Sequence, residues 1–266
     1  ICVAMQSDER RRLLAELVAG KGELSFTDAA RRFHVSEMTI RRDVEALEQE
    51  RLVMRVPKGV VPHTSREPSM SVRQRAFAAE KAAIASAVVP LLFPHARVLL
   101  DSGSTAYAIG KALRGQGLEL TILTPSLLVA SELAHEPGTR LLLTGGQLCP
   151  DEMSLTGPET VESIRSYNLD FFVMGVGGIH PRLGISDYNR DEAATKRAGI
   201  KSSDKTIVCV DHSKLHCSYL MKVASLDEVD MLVTDAEESH PTVQAARSQG
   251  VTLSFANVAN TPPGSA

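Results

Sequence analysis

The sequence lacks several features that mark particular classes of protein. Its 266 residues hold no low-complexity tract and no apolar run of the ~20 residues that a transmembrane helix needs. Residues 1–6 are too short for a secretory signal peptide and lack its charged start. The four cysteines form neither a Cys-x-x-Cys pair nor a zinc-ligand spacing. We therefore expect a cytoplasmic protein with reduced thiols and without a membrane anchor, a metal or a cofactor.

An overall excess of positive charge is also missing, since the net charge is −3. The charge is unevenly spread, with +2 over residues 1–66 and −5 over the remainder. A slightly basic head on an acidic body fits a site-selective DNA-binding protein, which needs only local positive charge. The length suffices for two domains. The chain is predicted to divide into a first domain over residues 1–61, a linker over 62–70, a second domain over 71–258 and a tail over 259–266.

Residues 36–44 carry the strongest functional signal. Ser36 is a natural N-cap, so a helix is predicted to begin here. The apolar residues that recur with helical spacing on its buried face are Ile40, Val44 and Leu47. Thr39, Arg41 and Arg42 fall off that face, and arginine and threonine are suited to guanine, phosphate and thymine contacts in a DNA major groove.

The neighbouring segments complete a winged helix-turn-helix. Residues 11–18 and 26–33 show apolar positions with helical spacing. Two short apolar runs, 52–56 and 60–61, flank Pro57-Lys58-Gly59 and predict a strand, a turn and a strand, that is, a wing. On these patterns alone, an ordinary amphipathic three-helix unit is the alternative.

Ten positions over thirty-five residues match a known signature at the right spacings. They are Arg10, Leu14, Val18, Ser36, Thr39, Ile40, Arg41, Arg42, Asp43 and Val44. With them, the N-terminal part resembles the DeoR-type family of bacterial repressors of sugar metabolism. The residues expected to contact operator DNA are Ser36, Glu37, Met38, Thr39, Arg41, Arg42, Arg55 and Lys58. The family usually has His-Gly-Gly in the wing turn, so Pro57-Lys58-Gly59 predicts an altered wing.

From residue 97 onward, short apolar strands alternate with helices. The predicted strands are Val98–Asp101, Leu120–Leu123, Leu141–Thr144, Phe171–Gly175, Ile207–Asp211, Met231–Thr234 and Thr252–Phe255. The predicted helices are Ala106–Leu113, Ser126–His135, Glu159–Tyr167, Asp191–Ser202 and Thr242–Gln249. This order predicts an α/β fold with a mainly parallel sheet covered on both faces. Before it, the alanine-rich stretch Val72–Phe93 predicts one long helix.

Polar, glycine-rich loops follow several of these strands. Residues 101–105 read Asp-Ser-Gly-Ser-Thr between a strand and a helix, and small residues, hydroxyls and a helix N-terminus together favour a phosphate. A tight turn with Ser and Thr caps would explain this loop by itself. Similar loops follow other strands at 144–146, 175–178 and 211–214. Because ligands bind at the carboxyl ends of parallel strands, we predict one ligand site at this edge of the sheet.

Residues 80–255 resemble the sensor domain of the same family. The resemblance implies a fold like that of ribose-5-phosphate isomerases and a phosphorylated sugar as effector. It implies that Ser102, Gly103, Ser104 and Thr105 hold the phosphate and that Asp101, Lys196 and Lys214 meet the sugar or its charge. The other residues predicted in the site are Thr124, Gly145, Gly146, Gly175, Gly177 and Asp211. The family has Asn where Pro125 stands, and Lys196 could equally be a surface lysine on a polar helix.

Two other functions compete with a sensor. A sugar-phosphate isomerase would need a positioned carboxylate base, and no carboxylate follows the strand Phe171–Gly175 directly. Asp187 and Asp191 are nearby, but solvation and helix capping explain them, and the histidines show no metal-ligand spacing. A pure scaffold would leave the phosphate-type loops unexplained. We therefore expect no catalytic residues.

The predicted mechanism is ligand-controlled repression. A ligand changes DNA affinity only by binding two states of the protein unequally, and the predicted linker 62–70 with the helix Val72–Phe93 is the route for that coupling. Two DNA-binding units must reach two half-sites of operator DNA, so we expect a homodimer or a higher homo-oligomer.

Overall fold

A computed structural model describes residues 7–21, 24–49, 52–62 and 69–258. The chain divides into two compact units between residues 67 and 68. Most of the predicted linker and the whole predicted tail lie outside the described residues. The two ends of the predicted linker belong to regular structure, because Pro62 ends a strand and Met70 begins a helix.

The N-terminal unit is a winged helix-turn-helix. Its elements are α1 (Ser7–Lys21), β1 (Leu24–Ser25), α2 (Phe26–Phe33), α3 (Glu37–Gln49), β2 (Val53–Val56) and β3 (Gly59–Pro62). The three strands form an antiparallel sheet in the order β1-β3-β2. The predicted apolar faces meet in one core, which includes Leu14, Phe26, Ile40, Val44 and Leu47. The predicted fold of this unit is confirmed.

A tight turn joins α2 to α3. His34 adopts the left-handed conformation with φ 53°, and its backbone N–H donates to the last carbonyls of α2. Two residues later, the Ser36 hydroxyl accepts from the Thr39 backbone N–H at 3.2 Å, as predicted for the N-cap of α3. The angle at which α3 leaves α2 is thus set by local hydrogen bonds as well as by the core.

The wing turn needs its glycine for a close backbone approach. A Cβ atom on Gly59 would lie 2.3 Å from the carbonyl oxygen of Leu24 in the neighbouring strand. Neither Lys58 nor Gly59 adopts a positive φ, so lysine is accommodated in the turn without strain. The Lys58 carbonyl accepts from the Phe26 backbone N–H at 3.0 Å, which attaches the wing to the start of α2.

The single helix predicted over Val72–Phe93 is wrong. The structure has α4 (Met70–Arg75), α5 (Ala78–Val88) and a 3-10 turn (Val89–Leu91). The break falls where Ala76 is extended and Phe77 is left-handed, with φ 53°. The Lys81 ammonium donates to the carbonyls of Arg73 and Ala76, at 2.7 and 2.5 Å. A buried side chain therefore takes over backbone acceptors that a continuous helix would satisfy itself.

A seven-stranded parallel sheet forms the centre of the C-terminal unit, and it contains all seven predicted strands. The strands of this unit are β4 (Arg97–Leu100), β5 (Thr121–Thr124), β6 (Arg140–Leu143), β7 (Gln147–Cys149), β8 (Ser154–Thr156), β9 (Leu169–Met174), β10 (Gly178–His180), β11 (Gly184–Asp187), β12 (Ser203–Val210), β13 (Met221–Ala224), β14 (Met231–Thr234) and β15 (Thr252–Phe255). The order in the large sheet is β15-β14-β12-β9-β4-β5-β6, and every neighbouring pair is parallel.

Helices cover both faces of this sheet. They are α4, α5, α6 (Ser104–Leu113), α7 (Leu127–Leu133), α8 (Pro158–Arg165), α9 (Arg190–Ser202) and α10 (Pro241–Ser248). Alternate strand residues enter two separate cores: Phe172 packs on one side, and Phe171 and Val173 pack on the other. Burial on both faces explains why the strands read as continuous apolar runs, as predicted for an α/β fold.

Five short strands of the C-terminal unit were not predicted. β7 and β8 form an antiparallel hairpin, and β10, β11 and β13 form a small antiparallel sheet. Each is three or four residues long, which is too short for a periodic apolar pattern to show. All five lie in connections that leave the carboxyl ends of β6, β9 and β12. They therefore add walls to the edge of the sheet where a ligand site is predicted.

Candidate DNA-recognition surface and effector site

The outer face of α3 carries the residues predicted to contact DNA. Glu37, Met38 and Arg42 are exposed, and 61% of the Met38 surface is accessible. The Ser36 and Thr39 hydroxyls lie 2.9 Å apart at the start of the helix. The same helix buries its predicted apolar face, so an element anchored on one side presents polar groups and one arginine on the other.

The two adjacent arginines of α3 differ in their surroundings. The Arg41 guanidinium lies over the Phe26 ring, 4.1 Å from its centroid, and the residue is partly buried. Such a cation–π contact links α3 to the start of α2. Arg42 is exposed. Sequence spacing treated the pair as equivalent, whereas in the structure Arg42 is the arginine of the pair that lies on the open surface.

A buried ion pair joins α1 to α3. Asp43 is 2% exposed, and its carboxylate accepts from Arg10 Nε at 2.5 Å and from Arg11 Nε at 3.3 Å. The hydrogen bond from Arg10 to Asp43 raises the pKa of the arginine above its usual value. The match of Arg10 and Asp43 to the family signature therefore has a structural cause: the two residues hold α1 and α3 together.

The wing carries the last two predicted DNA contacts. Arg55 lies in β2, where Glu48 accepts both from its backbone N–H at 2.8 Å and from its guanidinium at 3.3 Å. Lys58 is exposed in the turn. The wing therefore offers Lys58 to solvent, while Arg55 is engaged in fixing the end of α3.

In the C-terminal unit, the predicted phosphate loop lies between β4 and α6. We call residues 101–105 the Gly103 loop. Gly103 has φ 92°, a conformation that L side chains rarely adopt, and it precedes the ten-residue helix α6. Ser104 and Thr105 are 7% and 9% exposed at the first turn of that helix. A Cβ atom on Gly175 would lie 3.8 Å from Thr105 Cβ, so the loop after β9 adjoins the Gly103 loop.

Lys196 is buried between two carboxylates, which excludes the surface lysine that its polar helix allowed. Its ammonium lies 2.7 Å from Asp101 Oδ2 and 3.4 Å from Asp187 Oδ2, and the residue is 4% exposed. Burial opposes the charged form, yet the surrounding carboxylates raise the pKa of Lys196, so the ammonium stays protonated. Its charge is already matched within the protein.

The expectation that solvation explains Asp187 is wrong. Asp187 ends β11 and is 3% exposed, and its Oδ1 accepts from the Tyr188 backbone N–H at 2.8 Å. The unpredicted strand β11 places it beside Asp101, which no spacing in the sequence could show. Asp191 is exposed in the first turn of α9, as predicted.

A second buried charge pair lies beside this one. Lys81 is 4% exposed and Asp211 is 1% exposed, with Lys81 Nζ 3.9 Å from Asp211 Oδ2. Burial, helped by the nearby charges of Lys214 and Arg73, lowers the pKa of Lys81 to about 8, although the Asp211 carboxylate acts in the opposite direction. Among the described protein atoms, Asp211 Oδ2 receives no hydrogen bond. This corner of the site therefore concentrates positive charge around one carboxylate.

The remaining predicted effector residues have structural neighbours. Thr124 is fully buried, and its hydroxyl accepts from the Ser126 backbone N–H at 3.1 Å. Gly145 and Gly146 lie against α8, where a Cβ on Gly146 would be 2.2 Å from Thr160 Oγ1. A Cβ on Gly177 would be 3.2 Å from the Asp187 backbone. Close packing thus explains Gly146 and Gly177, and Gly177 also helps to place Asp187. Gly145 has open space around an added Cβ, but its φ of 73° favours glycine.

Sequence reasoning missed two residues at the Gly103 loop. The Arg73 Nη1 atom lies 3.6 Å from the position of a Cβ on Gly103, and the Arg73 guanidinium forms an ion pair with Glu152. Arg73 comes from α4 and Glu152 from the turn between β7 and β8. Neither belongs to a motif, and only the fold brings these two charges, 79 residues apart, onto the loop.

A large groove lies away from this site. It has a volume of about 710 Å³ and is lined at the starts of β9, β12, β14 and β15 by residues that include Asp170, Asp204 and Asp230. It contains no predicted effector residue. Within the part of the chain that the structure describes, no group of His, Cys, Asp and Glu is arranged to hold a metal ion. In that same part, no helix has the length and apolarity to cross a membrane.

Comparisons with known proteins agree with the division of the chain into an N-terminal and a C-terminal unit. Residues 10–66 match the DeoR-like helix-turn-helix domain, and residues 76–236 match the DeoR C terminal sensor domain. The chain is 31% identical over 233 residues to the glycerol-3-phosphate regulon repressor of Escherichia coli (strain K12), covering 87% of this chain and 92% of the relative. It is 29% identical over 233 residues to the HTH-type transcriptional repressor GlcR of Bacillus subtilis (strain 168), covering 87% and 89%.

Solved structures give a weaker likeness. Ribose 5-phosphate isomerase A from Methanocaldococcus jannaschii superposes with a TM-score of 0.40 and 15% identity, covering 53% of this chain and 55% of that one. A likeness at this level says nothing about a reaction or a ligand. The two family matches and the near full-length relatives do identify the chain: it belongs to the DeoR family of DNA-binding transcriptional regulators.

Proposed function

We propose that this protein represses genes of carbohydrate metabolism and that a phosphorylated sugar, bound at the carboxyl edge of the parallel sheet, weakens its hold on operator DNA. The observation that carries the proposal is the Gly103 loop at the N-terminus of α6, with the charged side chains of Arg73 and Lys81 close by. Backbone N–H groups at a helix start and neighbouring cations favour a phosphate dianion.

The N-terminal unit supplies the DNA contact. We infer that α3 enters the major groove with Thr39 and Arg42 facing base edges, and that Lys58 of the wing contacts a phosphate. Support comes from the exposure of Arg42 and the partial exposure of Thr39 on a helix whose opposite face is buried, and from the exposure of Lys58 in the wing turn. Two such units are needed to read two half-sites, so the functional form is a homodimer or a higher homo-oligomer, acting in the cytoplasm.

Within the sensor, the buried carboxylates hold charge in place instead of moving protons. The Asp101 and Asp187 carboxylates are buried and both contact the Lys196 ammonium, whereas an isomerase base must be free to accept a proton from the sugar. We infer binding without turnover. An isomerase assay with aldose phosphates is expected to show no conversion, and turnover that disappears in Asp187→Asn would establish the enzyme instead.

The test of the effector class compares sugar phosphates with their unphosphorylated parents. Duplex DNA that the protein selects from a random pool is titrated in a gel-shift assay, and each compound is added to the complex. Phosphorylated sugars are expected to release the DNA, and their parents are not. Equal effects of sugar and sugar phosphate would reject the phosphate site.

Gly103→Val sharpens this test. At φ 92° a β-branched residue is strained and blocks the approach of an anion to the backbone, so this variant is expected to bind DNA but to ignore the effector. Gly250→Val is the matched control, because Gly250 has φ 88° and no neighbour within 4 Å of an added Cβ. Normal release of DNA from Gly103→Val would reduce the loop to a structural turn.

A further inference from the structure

We propose that Arg73 is an effector-binding residue and that Glu152 occupies its guanidinium until the effector arrives. An incoming phosphate then takes Arg73 and releases Glu152 with the turn between β7 and β8. The proposal rests on the phosphate site proposed at the Gly103 loop, and it adds one binding residue and one switch to that site.

The Arg73 side chain packs against the Gly103 loop. Its Nη1 atom is 3.6 Å from the position of a Cβ on Gly103, so the guanidinium covers the part of the loop that has no side chain. The Arg73 side chain is only 11% exposed. A planar guanidinium fork held at a glycine-rich loop before a helix is suited to bidentate contact with phosphate oxygens.

Glu152 reaches Arg73 from a hairpin that is anchored beside the site. The Leu127 backbone N–H donates to the Met153 carbonyl at 2.9 Å, and the Leu155 backbone N–H donates to the Pro125 carbonyl at 2.8 Å. These bonds fasten the hairpin to the segment after β5, which is the neighbour of β4 in the sheet. The Glu152 side chain is 12% exposed, so its carboxylate is held at the loop instead of extending into water.

The phosphate and the Glu152 carboxylate are both negatively charged, so they compete for the Arg73 guanidinium. The positive charges of Arg73 and Lys214 help to lower the pKa of Lys81, so the three cations lie close enough to repel one another. The Glu152 carboxylate offsets part of this positive charge through its ion pair with Arg73. A phosphate dianion at the Gly103 loop would lie close to the Glu152 carboxylate and repel it. Because phosphate carries more charge than a carboxylate and offers three oxygens, it is the stronger partner for the guanidinium.

The exchange acts on the element nearest to the DNA-binding unit in the chain. The Arg73 backbone carbonyl accepts from Lys81 Nζ at 2.7 Å. The backbone of Arg73 as well as its guanidinium is therefore bonded to charged residues of the proposed site. Arg73 is the fourth residue of α4, and α4 begins at Met70 directly after the segment that connects the two units. Arg73 would contact Glu152 in the free state and the effector in the bound state. Effector binding can therefore shift the conformational equilibrium of α4.

The experiment measures phosphate binding by the full-length protein and its variants. The probes are inorganic phosphate and a panel of triose to hexose phosphates. Their binding is measured by thermal shift and calorimetry. Glu152→Gln removes the competing charge at constant size and is expected to bind each active probe about tenfold more tightly. Arg73→Gln is expected to bind it roughly 10- to 100-fold more weakly. In the double variant, the gain from Glu152→Gln is expected to vanish.

Hydrogen exchange reports the switch separately. Phosphate is expected to speed amide exchange in residues 147–156 of the wild type, whereas in Glu152→Gln that exchange is fast with or without phosphate. Glu162→Gln is the control for loss of one negative charge, since Glu162 is an exposed residue of α8. If Arg73→Gln does not fold, Arg73→Lys serves in its place, because it keeps the charge and loses the fork, and it must still bind phosphate more weakly.

Three results would overturn the inference. Unchanged phosphate affinity in Arg73→Gln or Arg73→Lys, while Gly103→Val abolishes binding, would remove Arg73 from the site and leave the proposed sensor intact. Unchanged affinity in Glu152→Gln would reject the exchange. Failure of every phosphorylated probe to bind both the wild type and Glu152→Gln would reject the proposed effector class together with this inference.

Discussion

The two units use charge in opposite ways. In the N-terminal unit, the groups proposed to contact DNA, such as Arg42 and Lys58, are exposed and separate from the buried pair of Arg10 and Asp43 that joins α1 to α3. In the sensor, the charges proposed to meet the effector are themselves buried, as Lys81 and Lys196 are. DNA is a surface that exposed cations can reach, whereas a small anion must be enclosed. Recognition and stability are therefore separable in the first unit and coupled in the second.

The largest expected effect breaks the coupling in the sensor. Lys196→Met keeps most of the side-chain volume but leaves Asp101 and Asp187 buried without their cation, which costs about 3–5 kcal/mol of unfolding free energy for the sensor. Lys201→Met, an exposed change in the same helix α9, is the control and is expected to cost almost nothing. Urea denaturation followed by circular dichroism measures both, and equal stabilities would show that Lys196 is not a structural cation.

The second effect tests the separation in the N-terminal unit. Arg42→Ala is expected to weaken operator binding by about 1–3 kcal/mol and to leave the unfolding free energy unchanged, because its side chain is exposed. Arg41→Ala is expected to cost stability too, since it removes the contact with the Phe26 ring. Gel-shift titration and thermal denaturation of the two single variants give the comparison. An Arg42→Ala variant with full operator affinity would disprove the DNA-reading face assigned to α3.

A third, intermediate effect concerns pH. The pKa of Lys81 is lowered by burial to about 8 in the folded sensor, and the unfolded value is about 10.4. The unfolded chain thus binds more protons between these values, so Lys81 makes the folded state more stable as pH rises through that window. The same deprotonation removes a positive charge from the site, and phosphate affinity is expected to fall about tenfold between pH ~7.5 and ~9.5.

Calorimetry across that pH range makes the measurement, and Lys81→Arg is the control. Arginine stays charged throughout, so the pH dependence of phosphate binding should flatten in this variant. A wild-type affinity that does not change above pH ~8 would show that the Lys81 charge does not act on the bound anion.

The smallest effect is a local one. Ser36→Ala removes the hydroxyl that accepts from the Thr39 backbone N–H and is expected to cost about 1 kcal/mol in the N-terminal unit. Because the cap lies outside the sensor, the sensor's own unfolding transition and its phosphate affinity should stay as in the wild type. Scanning calorimetry resolves the two transitions, and a shift confined to the sensor would contradict the assignment of the cap.

Patterns that repeat over short distances predicted most of the fold. The seven strands of the parallel sheet were found because each is a buried apolar run, and α3 was found because its cap and apolar face lie within a dozen residues. The break at Phe77 was missed because alanine-rich residues favour helix on both sides, while the cause, the buried Lys81 ammonium, is a tertiary contact.

Only part of the proposed site can be predicted from the sequence. The Gly103 loop was recognisable because its glycine, hydroxyls and helix start are contiguous, and Gly103 does have a positive φ. Asp187, Arg73 and Glu152 were missed because they come from β11, α4 and a hairpin turn, which no spacing connects to the loop.

By itself, the amino-acid sequence determined the two-unit organisation, the helix-turn-helix, the parallel sheet and the loop type at its carboxyl edge. All of these follow from local periodicity and backbone preference, which a chain carries in its residue order. Only the tertiary structure decided which charges are paired, and therefore that Lys196 is matched by Asp101 and Asp187 and that Arg73 meets Glu152. Pairing depends on burial and on distances between residues far apart in the chain, and these exist only once the sheet has assembled.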